Sequence, residues 1–342
     1  MSLSRPAKFP LLKLPWLCIK CVLVNWDLFH LIYFATISNR TRRIVQHSKY
    51  PLNEIDVSPN SSCKSVCMGK EKNWNFTHDK FEFGDPLILR RNSEPFLTRR
   101  GSNWITGNCL ESYTAGDPLD ALKTGIEFMI DVFGCTVRRV FVDGDKLSEL
   151  FGLGISTVKV LFLCYSERVN MADLKFLLEN INVTDSYVFF PPIPENFSCD
   201  PQIFKCRLLL FAGCHSADWV TLELLCQFDV AQMSFTCQRF SEEEIVSYIT
   251  HWFNSVNRKL EWIEFEFNDP SLENFNIESL NPMPFSEKRR NRCPLVKRWK
   301  EKDISNGMDI IRRDGLLATF YVDVTSVIFY VWHKRFPDAV QQ

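Results

Sequence analysis

A few groupings of residues in this sequence have types and spacings that could do chemistry. Cys214-His215, with Asp218 three residues later, gathers a thiol, an imidazole and a carboxylate, the ingredients of a nucleophile and its base. Cys18-x-x-Cys21 offers two thiolates, but no second Cys or His pair follows at zinc spacing. Gly152-x-Gly154-x-x-Thr157 imitates a dinucleotide loop, yet it precedes a strand pattern, whereas the working motif follows one. Glu242-Glu243-Glu244 could gather a cation. Directly after Ser241, the same acids suit the positive end of a helix dipole better. The six histidines show no metal-ligand spacing, and no Gly-x-Ser-x-Gly elbow, Walker loop or His-Glu-x-x-His occurs. The expectation is a non-catalytic chain with no cofactor and no metal, and His215 in an ordinary loop.

With no reaction to position, the elements that stand out are those that leave surface uncovered. The stretch Phe9 to Gln46 holds Leu14-Pro15, an apolar run, a second run opening at Asp27 and a basic third run. Pro15 suits the first turn of a helix, where its missing N–H has no partner to lose, and Asp27 and Asn39 suit the caps of two further short helices. Leu17, Ile19, Val22, Leu23, Leu28, Phe29, Leu31, Ile32, Phe34 and Ile37 occupy more than one face. Three short helices cannot cover them all, and a unit below ~40 residues rarely folds on its own core. The stretch reads as half of an interface, or else as an amphipathic hairpin packed on its own domain. Lys13, Pro15, Lys20 and Asp27 interrupt the roughly 20 apolar residues that a membrane span needs, and Lys13, Pro15 and Lys20 also break a signal-peptide core that no small-residue cleavage site follows.

Phe9-Pro10-Leu11-Leu12, Leu14-Pro15, Ile19, Val22-Leu23, Ile32-x-Phe34, Ser38 and Thr41-x-Arg43-Ile44 resemble the F-box of nematode-type F-box proteins. That resemblance implies a three-helix unit docking on the Skp adaptor subunit of a cullin ubiquitin ligase. The implied contacts are Leu14, Pro15, Leu17, Ile19, Val22, Leu23, Leu31 and Ile32. Trp16-Leu17 stands where many F-boxes carry an acidic pair.

Composition limits the alternatives. A hydrophobic content of 46%, with 29 Phe and 9 Trp, supplies a sizeable core, so the chain is not of the disordered class. A net charge of −1 argues against general nucleic-acid binding. The 13 cysteines are odd in number and often lie inside apolar runs, as at Cys164, Cys206, Cys226 and Cys237. They read as small hydrophobes in a reducing compartment, cytoplasmic or nuclear, so the Asn-x-Ser/Thr sequons at Asn39, Asn60, Asn75, Asn182 and Asn196 read as chance.

After the expected F-box at 7–47, residues 48–116 read as a β-rich connector. Ile55-x-Val57, Trp74-x-Phe76, Phe81-x-Phe83 and Leu87-x-Leu89 alternate with period two. Asp117-Pro118 then opens a helix through Val132 that Gly134 ends. A frame follows: Val137-x-x-Val140-x-Val142-x-x-Asp145, recurring as Val158-x-x-Leu161-x-Leu163-x-x-Ser166 and Cys206-x-x-Leu209-x-Phe211-x-x-Cys214. It returns as Val230-x-x-Met233-x-Phe235-x-x-Gln238 and Leu260-x-x-Ile263-x-Phe265-x-x-Asn268. A copy around Val183 to Phe190 is out of step by about one residue. Helical stretches fall between, at 172–180, 219–228 and 242–257.

This is a degenerate leucine-rich-repeat signature, in which stacked strand-helix units share a continuous core. A generic α/β domain with parallel strands also fits. Asp314-Gly315 is a hairpin turn, so Leu316–Val322 and Ser326–Trp332 complete an antiparallel meander capping the end. Lys288 to Lys300 is a basic run that serves as a solvated loop or as an import or acidic-partner patch.

Ser241 with its acidic first turn, Trp252, Asn257-Arg258, the tract Asp309-Ile310-Ile311-Arg312-Arg313-Asp314-Gly315 and Ala318-Thr319 resemble the type 2 F-box-associated domain. In that family it follows the F-box, is taken to bind the ubiquitylation target and has no assigned catalytic residues. The repeat frame and the two resemblances together give an expected α+β or α/β chain with an F-box at 7–47 and, at 117–340, an F-box-associated domain built as a leucine-rich-repeat-like solenoid with a β-meander cap. They imply a non-enzymatic adaptor that joins a Skp subunit, and through it a cullin, to an unidentified protein target. The alternative is a repeat-type binding scaffold that never joins a ligase.

Overall fold

The computed structural model describes residues 11–59, 64–69, 72–78, 87–91, 94–103, 107–236, 239–266, 274–284, 286, 304 and 306–333. Phe9-Pro10, Asn60, Phe81-x-Phe83, Cys237, Gln238, Asn268 and the run Lys288 to Lys300 lie outside the described residues. Contacts divide the chain into two units, residues 1–138 with 152–154, and residues 139–151 with 155–342. The breaks expected after 47 and after 116 both fall inside the first. The described residues form a mixed α/β structure with eight α-helices.

In the first unit, α1 (Trp16–Val24), α2 (Leu28–Ile37) and α3 (Asn39–Ser48) come first. Asp27 caps α2 as expected, its carboxylate accepting from the Phe29 N–H at 2.8 Å. The cap of α3 is Ser38, not Asn39. Ser38 is the last extended residue (φ −163°, ψ 163°), and it forms a capping box with Thr41. Pro15 stands at the cap position of α1, one residue before the first turn, and supplies no side-chain cap.

The strands β1 (Glu54–Ser58), β2 (Lys64–Cys67), β3 (Asn73–Thr77), β4 (Leu87–Arg91), β5 (Glu94–Asn103) and β6 (Gly107–Tyr113) follow. They lie in the order β1-β2-β3-β6-β5-β4, antiparallel except for the parallel pair β3/β6. Helix α4 (Pro118–Phe133) starts on the Asp117 cap and Pro118 and ends at Gly134 in the left-handed region, as its sequence predicts. It presses on the sheet so closely that a Cβ at Gly125 would sit 2.4 Å from the Phe76 ring. Trp74 meets Phe128 edge to face at 5.9 Å, and its Nε1 donates to Ser112 at 2.8 Å. This tryptophan is buried without an orphaned donor.

The strand β7 (Thr136–Asp143) carries the chain past Arg138. The second unit then runs α5 (Leu147–Phe151), β8 (Thr157–Cys164), α6 (Met171–Asn180), β9 (Asn182–Phe189), β10 (Leu208–Phe211), α7 (Leu222–Gln227), β11 (Gln232–Phe235), α8 (Glu242–Asn254) and β12 (Trp262–Glu266). Consecutive strands from β7 to β12 pair in parallel, each beside its sequence neighbour. The repeating frame falls in register across them. Val140, Leu161, Tyr187, Leu209, Met233 and Ile263 form one row, and Val142, Leu163, Phe189, Phe211, Phe235 and Phe265 the next. Both rows are buried. Rings in the second row stack from Phe189 to Phe211 at 5.1 Å, to Phe235 at 4.9 Å and to Phe265 at 5.5 Å.

The copy that is out of step at β9 has a local cause. Val158 pairs with Val183, but Val160 pairs with Ser186, so a β-bulge takes up one extra residue and Tyr187 and Phe189 return to phase. Where β9 leaves the sheet, Gly213 packs on the following turn, and a Cβ there would overlap the Phe190 carbonyl.

The end of the chain adds β13 (Met283–Pro284), β14 (Met308–Ile311), β15 (Leu317–Val322) and β16 (Ser326–Trp332). The last three form the antiparallel meander expected, with Gly315 at φ 80° in its first turn, and β16 pairs antiparallel with β12.

Candidate interaction surfaces

Helix α1 shows an unusual division of its apolar residues. Ile19 and Leu23 are buried in the first unit. At 100° per residue, Leu17, Lys20, Cys21 and Val24 fall on one opposite stripe. All four are exposed, Leu17 by 73% and Val24 by 57%. A helix that is apolar on every side belongs in a protein interior or against a partner. Trp16 adds 40% exposure beside it, and Ile37, at the end of α2, adds 72%.

Of the contacts implied by the F-box resemblance, Pro15 and Leu17 are exposed, Leu14 and Val22 are half-buried, and Ile19, Leu23, Leu31 and Ile32 are enclosed. The eight therefore do not form one surface. Leu31 and Ile32 face inward on α2, whose outward positions are His30 and Ile37. The exposed apolar residues of α1 and α2 missing from that set are Trp16, Cys18, Cys21, Val24 and Ile37. The helical phase of Leu17 would have selected Cys21 and Val24 in the sequence.

The three helices are fastened to the rest of their unit. Arg42 pairs with Asp131 of α4, and Gln46 donates to the Asp131 carbonyl at 3.0 Å. On α2, the Phe29 ring lies under Lys72 and Arg100 at 5.9 and 5.7 Å.

In the second unit, the chemistry-bearing groups of the sequence separate into structural roles. Ser241 and Glu244 complete a capping box on α8, and hydrogen bonds from its own N–H and from Ser241 hold the Glu243 carboxyl below its usual range. His215 occupies the turn after β10 with φ 63°, its Nδ1 2.9 Å from Asp218, and its side chain is 72% exposed. Thr157 opens β8, so the glycine pattern precedes a strand as the sequence indicates. Burial pushes the Cys206 thiol up to about 12. No group of three or more His, Cys, Asp and Glu that could hold a metal ion occurs among the described residues.

The residues scattered along the sequence from Trp252 to Asp314 meet in one cluster. Arg312, buried, lies 4.7 Å from the centre of the Trp252 ring and donates to the Asn257 carbonyl at 2.7 Å. Two of its nitrogens reach the Asp314 carboxylate at 2.9 Å, and Arg258 reaches it at 3.0 Å. The Arg312 hydrogen bonds, with help from the Leu316 N–H and Arg258, hold the Asp314 carboxyl far below its usual range. A buried guanidinium needs this full set of acceptors, because leaving one unmet costs more than the bond returns.

Residues 201–265 match the family model described as F-box associated. Ser241, Trp252 and Asn257-Arg258, which carry the resemblance to the F-box-associated domain, lie within that segment. The match runs from the turn before β10 through β10, α7, β11 and α8 into β12. Two Caenorhabditis elegans proteins, both named as uncharacterized, are similar to the chain. F59B2.8 is 30% identical over 131 residues, covering 36% of this chain and 30% of that protein. F59B2.9 is 28% identical over 184 residues, covering 52% of this chain and 42% of that protein. The chain thus spans less than half the length of these relatives. No solved structure matches.

Proposed function

We propose that this chain is a non-catalytic adaptor of a Skp-cullin-F-box ubiquitin ligase. Helices α1 to α3 act as the F-box and dock on the Skp subunit. The strand-helix succession of the second unit acts as a leucine-rich-repeat-like carrier of a protein target. The observation that carries this reading is the outer stripe Leu17-Cys21-Val24, exposed on a helix whose inner face is already buried. The F-box-associated match at residues 201–265 supports it. The adaptor works by proximity. A rigid sheet holds the target near the loaded conjugating enzyme and raises the effective concentration of the reacting groups without acid–base chemistry of its own.

The test is co-expression with a Skp subunit, comparing the wild-type chain with Leu17→Asp. The variant changes an exposed side chain and should keep the wild-type thermal transition while losing recovery of the complex. Equal recovery of both removes the docking reading.

The attachment of α3 to α4 through Arg42 and Gln46 favours a second reading, in which the helices serve as an internal wall of a binding scaffold outside any ligase. On that reading neither chain recovers the Skp subunit.

A further inference from the structure

The charges around the α1 stripe say what the docking partner must look like. From Leu11 to Lys49 the sequence carries Lys13, Lys20, Arg40, Arg42, Arg43 and Lys49 against one acid, Asp27. Asp27 is already matched, with Lys72 at 3.7 Å and Arg100 at 3.5 Å, and Arg42 is matched by Asp131. Lys20 and Arg43 are exposed and make no ion pair among the described residues. Their placement is regular. Lys20 stands at the edge of the outer stripe of α1, one turn from Leu17 and one from Val24. Arg40, Arg43 and His47 recur at i, i+3 and i+7 along the exposed side of α3. Two contacts hold this row beside the start of the apolar stripe: the Trp16 and His47 rings at 6.4 Å, and Arg40 donating to the Leu12 carbonyl at 3.0 Å.

We propose that this face takes an acidic protein surface, with carboxylates opposite Lys20, Arg40 and Arg43 and apolar side chains opposite Leu17, Cys21 and Val24. This rests on the docking reading above and adds the chemistry of the partner. A surface on which unmatched cations have no acids among them is complementary to a carboxylate-rich one. Such charges act mainly by steering the encounter, while the apolar stripe holds the complex together. The pattern fits a protein better than an anionic membrane. A helix seated in lipid inserts a broad apolar face, whereas here the Ile19 and Leu23 side of α1 is already buried in the first unit and the stripe left outside is only a few side chains wide.

The experiment measures association and dissociation rates of the full chain with a recombinant Skp subunit at low and at high salt, for the wild type and for Lys20→Glu/Arg43→Glu. Both substituted side chains are exposed, so the variant should keep the wild-type thermal transition. At low salt it should associate about tenfold more slowly with little change in dissociation, and the difference should vanish at high salt as charges are screened. Wild-type rates for the variant, with Leu17→Asp abolishing binding, overturn the acidic-surface proposal and leave the docking reading standing. A wild-type chain that does not bind the subunit overturns both. Binding to phosphatidylserine–phosphatidylcholine vesicles that the double reversal abolishes, without binding to the subunit, overturns the protein partner in favour of a lipid one.

Discussion

Helices α1 and α8 put their apolar residues to opposite ends. Helix α8 has a complete capping box, three acids in its first turn, and Ile245, Tyr248, Ile249 and Trp252 all buried. Val246 and Phe253 are half-buried and no large apolar group on it is fully exposed, so it is scaffold. Helix α1 has no side-chain cap, buries Ile19 and Leu23, and leaves Leu17, Cys21 and Val24 in solvent. The difference teaches that apolar content alone does not mark a binding face. What marks it is apolar content on the side that the fold has not used.

Substitutions can break this contrast. The largest expected effect is at Phe235, stacked between Phe211 and Phe265. Phe235→Ala should cost about 3–5 kcal/mol in denaturant unfolding of the second unit, whereas Leu17→Ala on α1 should change stability by less than about 0.5 kcal/mol. Comparable losses at the two positions would mean that the α1 stripe is structural after all.

Asp314→Asn comes next. It removes a charged acceptor from buried Arg312 and should cost about 2 kcal/mol near neutral pH. The sign of the pH dependence follows from the depressed Asp314 carboxyl. Its stabilisation is fully present above the unfolded value near 3.9 and is lost as pH falls toward the folded one. The gap between wild type and variant should therefore shrink in unfolding measurements on the acid side of about pH 4. A gap that does not change with pH would deny that the ionised carboxylate matters.

The smallest effect is at Ser241, where Ser241→Ala should cost about 1 kcal/mol through the lost cap, read as a lower thermal midpoint. No loss there would mean that packing alone fixes the start of α8.

Much of the second unit was legible because its physics is periodic. The frame positions Val140, Val142, Leu161, Leu163, Leu209 and Phe211 are spaced as the strands require, and the structure buries each one. The ends of α4 could be read because Asp117, Pro118 and Gly134 each act locally. In contrast, β2, β5 and β6 have no clean alternation, since Lys64–Cys67 and Gly107–Tyr113 gain their place from neighbouring strands. The Arg312 cluster could not be assembled from sequence, because 55 residues separate it from Asn257 and only the fold joins them. The exposed stripe on α1 was half legible for a related reason. Apolar type was visible in the sequence, but which side each residue faces depends on how α3 packs beside it.

The bulge in β9 bears on how such chains change over generations. A strand is a ribbon whose two sides swap with every step, so gaining one codon would ordinarily turn the remainder inside out. By letting a single residue loop out between Val183 and Ser186, the ribbon keeps Tyr187 and Phe189 on the oily side. Repeats of this kind can therefore drift in length by odd numbers, and any search that insists on a fixed period will pass over the very copy in which this has happened.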